Sequence, residues 1–283
     1  MNIFSPSNAS KLEVKSIAIG TFDALHLGHF ALINKLKQGA LLVIDRGSQS
    51  LLVPNYFKEE IAKIPVFFLS FDEIKSMSAK DFVAELLRIF PVLEFFVCGY
   101  DFRFGKNRAA GAKELKECSK LPCREIAPVK INGVNVHSSL IKECLLEAKV
   151  KLANLYLGRT YCIKARIIKG QGLGRSDFVP TINLYENGFF LPKEGIYASK
   201  TRLKNRFYSS ISFLGHRSTD GKLALETHIL GSLDESEKED FAYIYFLEFL
   251  QEVRRFESFS ELKTYIDFCV KEAKIWHEAN DEC

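Results

Sequence analysis

Two histidines near the N-terminus, His26 and His29, stand where a helix is predicted to begin. They close the segment GTFDALHLGH at positions 20–29, which follows a short apolar stretch. Because a helix N-terminus offers about half a positive charge and free N–H groups, phosphate is the ligand expected beside them. Gly28 allows the backbone to approach such a ligand closely. Zinc is the alternative ligand, but no third metal-binding residue lies at a suitable spacing, so we favour a phosphate site.

A second candidate functional segment is glycine-rich and lies at positions 170–184, GQGLGRSDFVPTINL. It has neither the Gly-Lys-Ser/Thr of a P-loop nor the glycine spacing of a Rossmann fold. By itself such a stretch often forms only a flexible turn. Thr181 and Asn183, however, alternate along an extended part of it, so their side-chain oxygens face one way. This pair is the more informative part of the segment.

The first half of the chain is predicted to alternate strands with helices. Short apolar strands are expected at 16–20, 40–44, 64–68 and 93–98, and helices at 30–37 and 79–89. This alternation indicates a parallel sheet with helical crossovers, whose ligands bind beyond the carboxyl ends of the strands. The loops after Ile19 and Cys98 begin at such ends, so both should border a binding site.

The second half is predicted to be antiparallel β-structure. Strands are expected at 161–169, 195–201, 208–213, 223–230 and 243–247, with a closing helix at 260–276. Turn signals such as Asn187-Gly188 and Asp220-Gly221 separate them, a pattern that favours a small barrel with a C-terminal helix. We therefore predict an α/β parallel-sheet domain over residues 1–155 and an antiparallel β-barrel domain over residues 156–283.

Composition narrows the class of protein. Of 283 residues, 47% are hydrophobic and 26% charged, which is typical of a soluble globular protein. The 39 basic and 35 acidic residues leave a net charge of only +4, which argues against a nucleic-acid partner. The seven cysteines show no Cys-x-x-Cys spacing, which argues against a zinc site or disulfide framework and favours a reducing compartment. With neither a signal-peptide pattern nor an apolar stretch of about 18 residues, we expect a cytoplasmic protein without membrane contact.

The histidine motif also carries a family resemblance. His-x-Gly-His after a first strand resembles the signature of the nucleotidylyl-transferase superfamily. The longer segment 20–29 is similar to the G-x-F-D-x-x-H-x-G-H motif of bifunctional bacterial riboflavin kinase/FAD synthetases. Segments 99–108 (GYDFRFGKNR) and 136–142 (VHSSLIK) resemble that family's G-x-D-F-R-F-G loop and I-S-S-T-x-I-R segment. The resemblance implies a nucleotidylyl-transferase-type domain that transfers an adenylyl group from ATP to FMN and releases pyrophosphate.

The resemblance assigns roles to residues of this first domain. His26 and His29 would stabilise the transferring phosphate. The residues implied in nucleotide or phosphate binding are Gly20, Phe22, Asp23, Gly28, Ser138, Ser139 and Lys142. Those implied on the flavin or substrate side are Asp101, Phe102, Phe104 and Arg108.

The second half resembles the riboflavin kinase part of the same family. Segment 180–183 (PTIN) is similar to its P-T-x-N motif, and segments 195–198, 215–219 and 225–230 resemble its G-V-Y-A, G-x-R-P-T and V-E-V-H-L-L motifs. The resemblance implies that Glu226 accepts the proton of the ribityl hydroxyl and that Thr181 and Asn183 bind Mg²⁺ together with nucleotide phosphates. It further assigns Gly170, Gly174 and Arg175 to nucleotide binding and Arg217 to the flavin or substrate side.

The leading hypothesis is a bifunctional enzyme that converts riboflavin and ATP to FMN, and then FMN and ATP to FAD. The family's T-F-x-P-H-P stretch is not visible after the second strand, where only Asp45 offers a match. This motivates an alternative, a monofunctional riboflavin kinase whose first domain has lost adenylylation. A flavin-binding regulatory module without turnover is a third reading, and an enzyme adenylylating another phosphate ester would explain the first half alone. The sequence makes no prediction of oligomeric state.

Overall fold

The computed structural model describes residues 3–4, 10–47, 50–169, 179–217, 221–233 and 239–280. By its internal contacts the chain divides into two compact units, residues 1–138 and 139–283. None of the helices in these described ranges combines the length and apolar character needed to cross a bilayer.

The first unit is built on a six-stranded sheet. Its strands are β1 (Ile3–Phe4), β2 (Ser16–Gly20), β3 (Gly39–Asp45), β4 (Val66–Ser70), β5 (Phe95–Gly99) and β6 (Cys123–Ile126). The spatial order is β1-β4-β3-β2-β5-β6, in which β1 is antiparallel and the other five strands are parallel. The predicted parallel sheet is therefore confirmed. Since the chain moves outward in both directions from β2 and β5, a crevice for ligands is expected beyond their carboxyl ends.

Helices and a small hairpin complete this unit. The helices are α1 (Leu27–Ile33), α2 (Asn55–Ala62), α3 (Phe71–Ile74), α4 (Ala79–Ile89) and α5 (Ala112–Ser119), with 3-10 turns at Lys11–Glu13 and Lys106–Arg108; the hairpin is formed by β7 (Lys130–Ile131) and β8 (Val134–Asn135). α4 has the predicted bounds because Ser78 caps its first turn. α1 begins earlier than predicted because His26 is its N-cap, and it ends at Ile33 rather than Lys37.

The second unit contains α6 (Ser138–Leu146), α7 (Val150–Leu157), a closed six-stranded antiparallel barrel and the long helix α8 (Phe259–Asn280). The strands are β9 (Tyr161–Ile168), β10 (Ile182–Glu186), β11 (Gly195–Leu203), β12 (Arg206–His216), β13 (Leu223–Ile229) and β14 (Phe241–Gln251). The predicted barrel with its C-terminal helix is confirmed. β10 begins inside the segment that the sequence marked only as extended, so it includes Asn183 but not Thr181.

The two faces of the barrel wall differ in character. The interior contains five fully buried hydroxyl side chains that hydrogen-bond to one another: Ser199, Thr201, Ser210, Ser212 and Thr227. Since side chains alternate along a strand, Glu226 next to Thr227 faces the barrel exterior. Another part of the exterior packs against α8. The catalytic candidate thus lies on the outer surface of the barrel.

Candidate active sites

The two histidines of the first unit form the N-terminal cap of α1. His26 Nδ1 accepts hydrogen bonds from the backbone N–H groups of Gly28 (3.1 Å) and His29 (3.4 Å). In return, the backbone N–H of His26 donates to His29 Nδ1 at 3.4 Å. The two rings stack with centroids 3.8 Å apart and an angle of 16° between their planes. The cap therefore fixes both rings in nearly the same orientation.

These hydrogen bonds also define the protonation of the pair. Each Nδ1 accepts a backbone N–H, so in the neutral ring the proton lies on Nε2 and each histidine is an N–H donor there. Burial, followed by the neighbouring His26 and Lys58, lowers the pKa of His29 well below its usual 6.5. With its pKa lowered, His29 is suited to donate a hydrogen bond to an anion through its Nε2–H as a neutral ring.

A cavity of about 660 Å³ opens beside this pair, which is within the range of small-ligand sites. It lies beyond the carboxyl ends of β2 and β5, as the strand order predicts. The residues singled out from the sequence that line it are Gly20, Phe22, His26, Gly28, His29, Asp101, Phe102, Phe104, Arg108 and Ser138. The structure therefore brings together three separate motifs of the first half of the chain.

Asp23 does not line this cavity but joins the motif loop, residues 20–29, to residues 52 and 53 by hydrogen bonds. Its Oδ1 accepts the backbone N–H of Leu52 at 2.8 Å, and its carbonyl oxygen accepts that of Val53 at 2.9 Å. On either side, Phe22 and Leu25 have positive φ angles of 46° and 47°, a strained conformation for non-glycine residues. The Asp23 hydrogen bonds therefore fix a loop that local preferences alone would not form.

Two cationic residues near this site were not predicted from the sequence. Arg46 lines the cavity, and its guanidinium lies 4.9 Å from the centroid of the Phe71 ring. Lys58, on α2, is only 1% exposed, and its ammonium donates to the carbonyl of Val53. The only available signal was that Arg46 follows the carboxyl end of a strand. Nothing in the sequence distinguished Lys58 from surface lysines.

The nearby Asp45 has a local role. Its Oδ1 accepts the backbone N–H of Gly47 and its Oδ2 accepts the amide of Asn55, both at 2.9 Å. It thereby joins the end of β3 to the start of α2. Among the residues around this strand end, Ile44 and Arg46 line the cavity instead.

Ser139 and Lys142 belong to the second unit. Ser139 is exposed near the start of α6, one residue after the cavity-lining Ser138. Lys142 is half-buried, with its ammonium 5.2 Å from the centroid of the Phe190 ring.

The second candidate site is centred on Glu226. Asn183 on β10 is its direct cross-strand partner, so both side chains lie on the outer face of the barrel. Thr181 Oγ1 donates to Glu226 Oε2 at 3.4 Å, and Arg217 Nη1 lies 3.5 Å from Glu226 Oε1. The Glu226 side chain is only 18% exposed. The structure thus brings together residues from three separate motifs of the second half.

Pro180, which precedes Thr181, is contacted by β13, the strand that carries Glu226. His228 lies two residues after Glu226 on β13, and its Nδ1 is 2.8 Å from the carbonyl oxygen of Pro180. Gly170, Gly174 and Arg175, assigned to nucleotide binding, lie outside the described residues. Where the structure does describe the chain, it has no cluster of three or more His, Cys, Asp or Glu side chains that could hold a metal ion.

Comparison with known proteins gives matches in both halves of the chain. A family model described as FAD synthetase matches residues 57–140, and one described as Riboflavin kinase matches residues 157–277. A bifunctional riboflavin kinase/FMN adenylyltransferase of Buchnera aphidicola subsp. Acyrthosiphon pisum is 32% identical, with coverage of 70% of this chain and 72% of the relative. Proteins of the same description from Bacillus subtilis (28% identity, 77% and 78% coverage) and Haemophilus influenzae (27%, 95% and 96%) are also similar.

A solved structure supports the fold. The crystal structure of a macrolide-efflux protein from Streptococcus pneumoniae matches with a TM-score of 0.81, covering 95% of this chain and 97% of that one. Its sequence identity is 18%, so this likeness shows the fold alone.

Proposed function

The chain belongs to the bifunctional riboflavin kinase/FMN adenylyltransferase family, and we propose that it phosphorylates riboflavin to FMN and adenylylates FMN to FAD, using ATP in both steps. The observation that carries the proposal is the assembly of two distant sets of motif residues into two sites. One set surrounds the His26–His29 cap and its cavity. The other surrounds Glu226 on the barrel exterior.

In the first site, the proposed reaction is attack of the FMN phosphate on the α-phosphorus of ATP, with pyrophosphate leaving. Such a reaction depends on positioning and charge neutralisation more than on a covalent nucleophile. The Nε2–H groups of His26 and His29 would donate to the oxygens on which charge develops. Arg46 and Arg108, which also line the cavity, would add positive charge for the phosphates.

Other residues of this site would position the substrates. Ser138 lines the cavity and could donate its hydroxyl to the triphosphate. The Phe102 and Phe104 rings stack on each other with centroids 5.5 Å apart and offer an apolar wall to the flavin, beside Asp101. Gly20, Phe22 and Gly28 would let the nucleotide approach the loop, while Asp23 would act indirectly by holding it. We assign Ser139 and Lys142 to triphosphate binding on their family motif.

In the second site, Glu226 is proposed as the base of riboflavin phosphorylation. Its carboxylate would accept the proton of the ribityl hydroxyl as that oxygen bonds to the γ-phosphorus of ATP. Arg217, whose Nη1 lies 3.5 Å from Glu226 Oε1, would contact the flavin or phosphate side. We assign Gly170, Gly174 and Arg175 to nucleotide binding on their family motif.

The proposed metal is Mg²⁺, which would neutralise charge on the ATP phosphates when bound. The side chains present fit it, because Thr181 and Asn183 offer neutral side-chain oxygens close to the Glu226 carboxylate. Mg²⁺ commonly uses few protein ligands together with substrate phosphates and water. Thr181 and Asn183 would therefore hold it only when ATP is also present.

We assign adenylyl transfer to a domain of residues 1–155 and riboflavin phosphorylation to one of residues 156–283. The Riboflavin kinase match over residues 157–277 supports the second assignment. We further propose that the enzyme works in the cytoplasm, since it consumes ATP. Its free thiols, Cys98 and Cys118 among them, suit a reducing compartment.

The test is to identify the flavins formed in two parallel reactions, one started from riboflavin and one from FMN, each with ATP and Mg²⁺. We expect FMN followed by FAD from the first, and FAD from the second. Glu226→Gln should lower FMN formation by roughly 100-fold or more without affecting FAD formation from FMN. His29→Ala should lower FAD formation from FMN without affecting FMN formation from riboflavin.

The matched control is Glu248→Gln, which should leave both activities unchanged. Like Glu226, Glu248 lies on a barrel strand and has a basic partner, Lys151, with a side chain 26% exposed. FMN without FAD from either start would instead support the monofunctional kinase. Flavin binding without ATP consumption would support the regulatory module.

A further inference from the structure

Two cysteines on adjacent strands of the first unit lie in contact. Cys98 is on β5 and Cys123 begins β6, and their sulfur atoms are 3.4 Å apart. In the parallel register Phe96 pairs with Cys123. Since side chains two residues apart along a strand point the same way, Cys98 shares a face of the sheet with Cys123.

The two thiols differ in exposure and in pKa. The same differences distinguish a cysteine that reacts with an oxidant from the second, resolving cysteine that then forms a disulfide with it. Cys98 is fully buried, whereas Cys123 is partly exposed. The hydrogen bond with Cys98 lowers the pKa of Cys123, while the same bond and burial raise the pKa of Cys98. Redox-sensitive cysteines are typically accessible, of low pKa and next to a second thiol.

We propose that Cys98 and Cys123 form an oxidation site for hydroperoxides, which converts the thiol pair to a disulfide. The Cys123 thiolate attacks the peroxide, the O–O bond breaks, and the products are a Cys123 sulfenic acid and, for hydrogen peroxide, water after protonation. The Cys98 sulfur then attacks the Cys123 sulfur, the S–S bond forms as the S–O bond breaks, and the hydroxyl takes up the Cys98 thiol proton and leaves as a second water. The two thiols are oxidised by two electrons and the peroxide is reduced by two.

The disulfide would change the cavity, because both strands end at its wall. Gly99 and Ile126, the last residues of β5 and β6, line the cavity, and the N–H of Tyr100 donates to the Ile126 carbonyl at 3.0 Å. Bond formation brings the sulfurs from 3.4 Å to about 2.05 Å. Cys98 pairs with Glu125, so Cys98 and Cys123 are diagonal neighbours whose Cα atoms lie about 7–8 Å apart, beyond the usual span of a disulfide, and one strand must shift along or toward the other. We therefore expect oxidation to impair adenylyl transfer and to spare riboflavin phosphorylation; this consequence rests on the proposed function.

The site is tested by treating the reduced full-length protein with hydrogen peroxide, removing the peroxide with catalase and blocking free thiols with N-ethylmaleimide. Non-reducing peptide mapping should then show the Cys98 and Cys123 peptides linked, lighter by two hydrogens than the reduced pair. Cys123→Ser should abolish the link. Cys118→Ser, which removes an exposed thiol of the same unit, should not. Absence of the linked peptide in the native protein would overturn the proposal.

The consequence is measured on the same samples. FAD formation from FMN should fall about tenfold or more, since a displacement of about 1 Å can cost 100-fold, and dithiothreitol should restore it. FMN formation from riboflavin should be unchanged, and Cys123→Ser should resist peroxide. A linked but fully active protein would refute the effect on the cavity. If even the reduced protein formed no FAD, the proposed function would fail, while the linked peptide would still report on the thiol pair.

Discussion

The observed capping role of His26 and its proposed phosphate contact can be separated by substitution. Its Nδ1 caps α1, and the opposite side of its ring is the proposed phosphate donor. His26→Asn retains a side-chain oxygen that can cap the helix but removes the ring. His26→Ala removes both. Urea unfolding should show a loss of about 1 kcal/mol for His26→Ala and only a few tenths for His26→Asn.

Both His26 variants should lose FAD formation from FMN while continuing to convert riboflavin to FMN. If His26→Asn retained full adenylyl transfer, the histidine would be only a helix cap. If His26→Ala were as stable as the native protein, the hydrogen bonds to Gly28 and His29 would contribute nothing to the fold.

The lowered pKa of His29 predicts a pH dependence of stability. Its pKa in the folded protein lies below 6.5, so the unfolded chain binds this proton more readily. Stability is therefore retained above about pH 6.5 and lost as the pH falls, by at most about 1.4 kcal/mol per pH unit from this group. His29→Asn removes the titrating ring. Urea unfolding followed by circular dichroism should show a weaker loss between pH 7.5 and pH 5.5 in the variant, and parallel losses would contradict the assignment.

At the scale of the elements, a chain of contacts links α2 to the motif loop. Lys58 donates to the Val53 carbonyl, the N–H of Val53 donates to the Asp23 carbonyl, and Leu52 binds the Asp23 carboxylate. α2 thus helps to hold the loop that contains the strained Phe22 and Leu25.

Lys58→Met keeps most of the buried side-chain volume but removes the donor to Val53. We expect a loss of about 1–3 kcal/mol in the free energy of unfolding and slower FAD formation, because the loop is held less firmly. Removing this charge should also raise the pKa of His29. Lys35→Met, at an exposed position after α1, is the control and should change stability by less than about 0.5 kcal/mol. Equal unfolding midpoints and FAD rates for the two variants would show that Lys58 is not a support of the loop.

Sequence patterns predicted the elements best where the signal is local. α4 has a clear apolar periodicity and a Ser78 cap, and its bounds agree with the structure. The predicted strands are short apolar or alternating runs, and each overlaps an observed strand although most ends differ by a few residues; β1, β6, β7, β8 and β10 were not predicted. α2 was not predicted, because its buried face includes the charged Lys58.

The site residues also divide into those that a local sequence pattern predicted and those that it did not. The spacing of His26 and His29 predicted an anion site. That prediction was possible because the two histidines are close in sequence and contact each other within one helix turn. Arg46 and Lys58 enter the environment of the pair only through the fold. The contact of Glu226 with Arg217 and Thr181 likewise depends on strand pairing that no local pattern specifies.

At the scale of the whole molecule, each proposed activity has its residues within one of the two compact parts, apart from Ser139 and Lys142. The product of the barrel site, FMN, is the substrate of the other site. Nothing in the chemistry of either reaction requires FMN to remain bound between the two steps. The two activities should therefore be able to operate on separate molecules.

This predicts complementation between two full-length variants. Glu226→Gln should make very little FAD from riboflavin because it forms FMN roughly 100-fold more slowly or worse, and His29→Ala should stop at FMN. Mixed in equal amounts with riboflavin, ATP and Mg²⁺, they should form FAD after a lag in which FMN accumulates in solution. The lag should shorten as the His29→Ala protein is increased, because that variant supplies the FMN. If the mixture formed no FAD while the Glu226→Gln protein still converted added FMN, the intermediate would have to pass between sites without mixing with the solution.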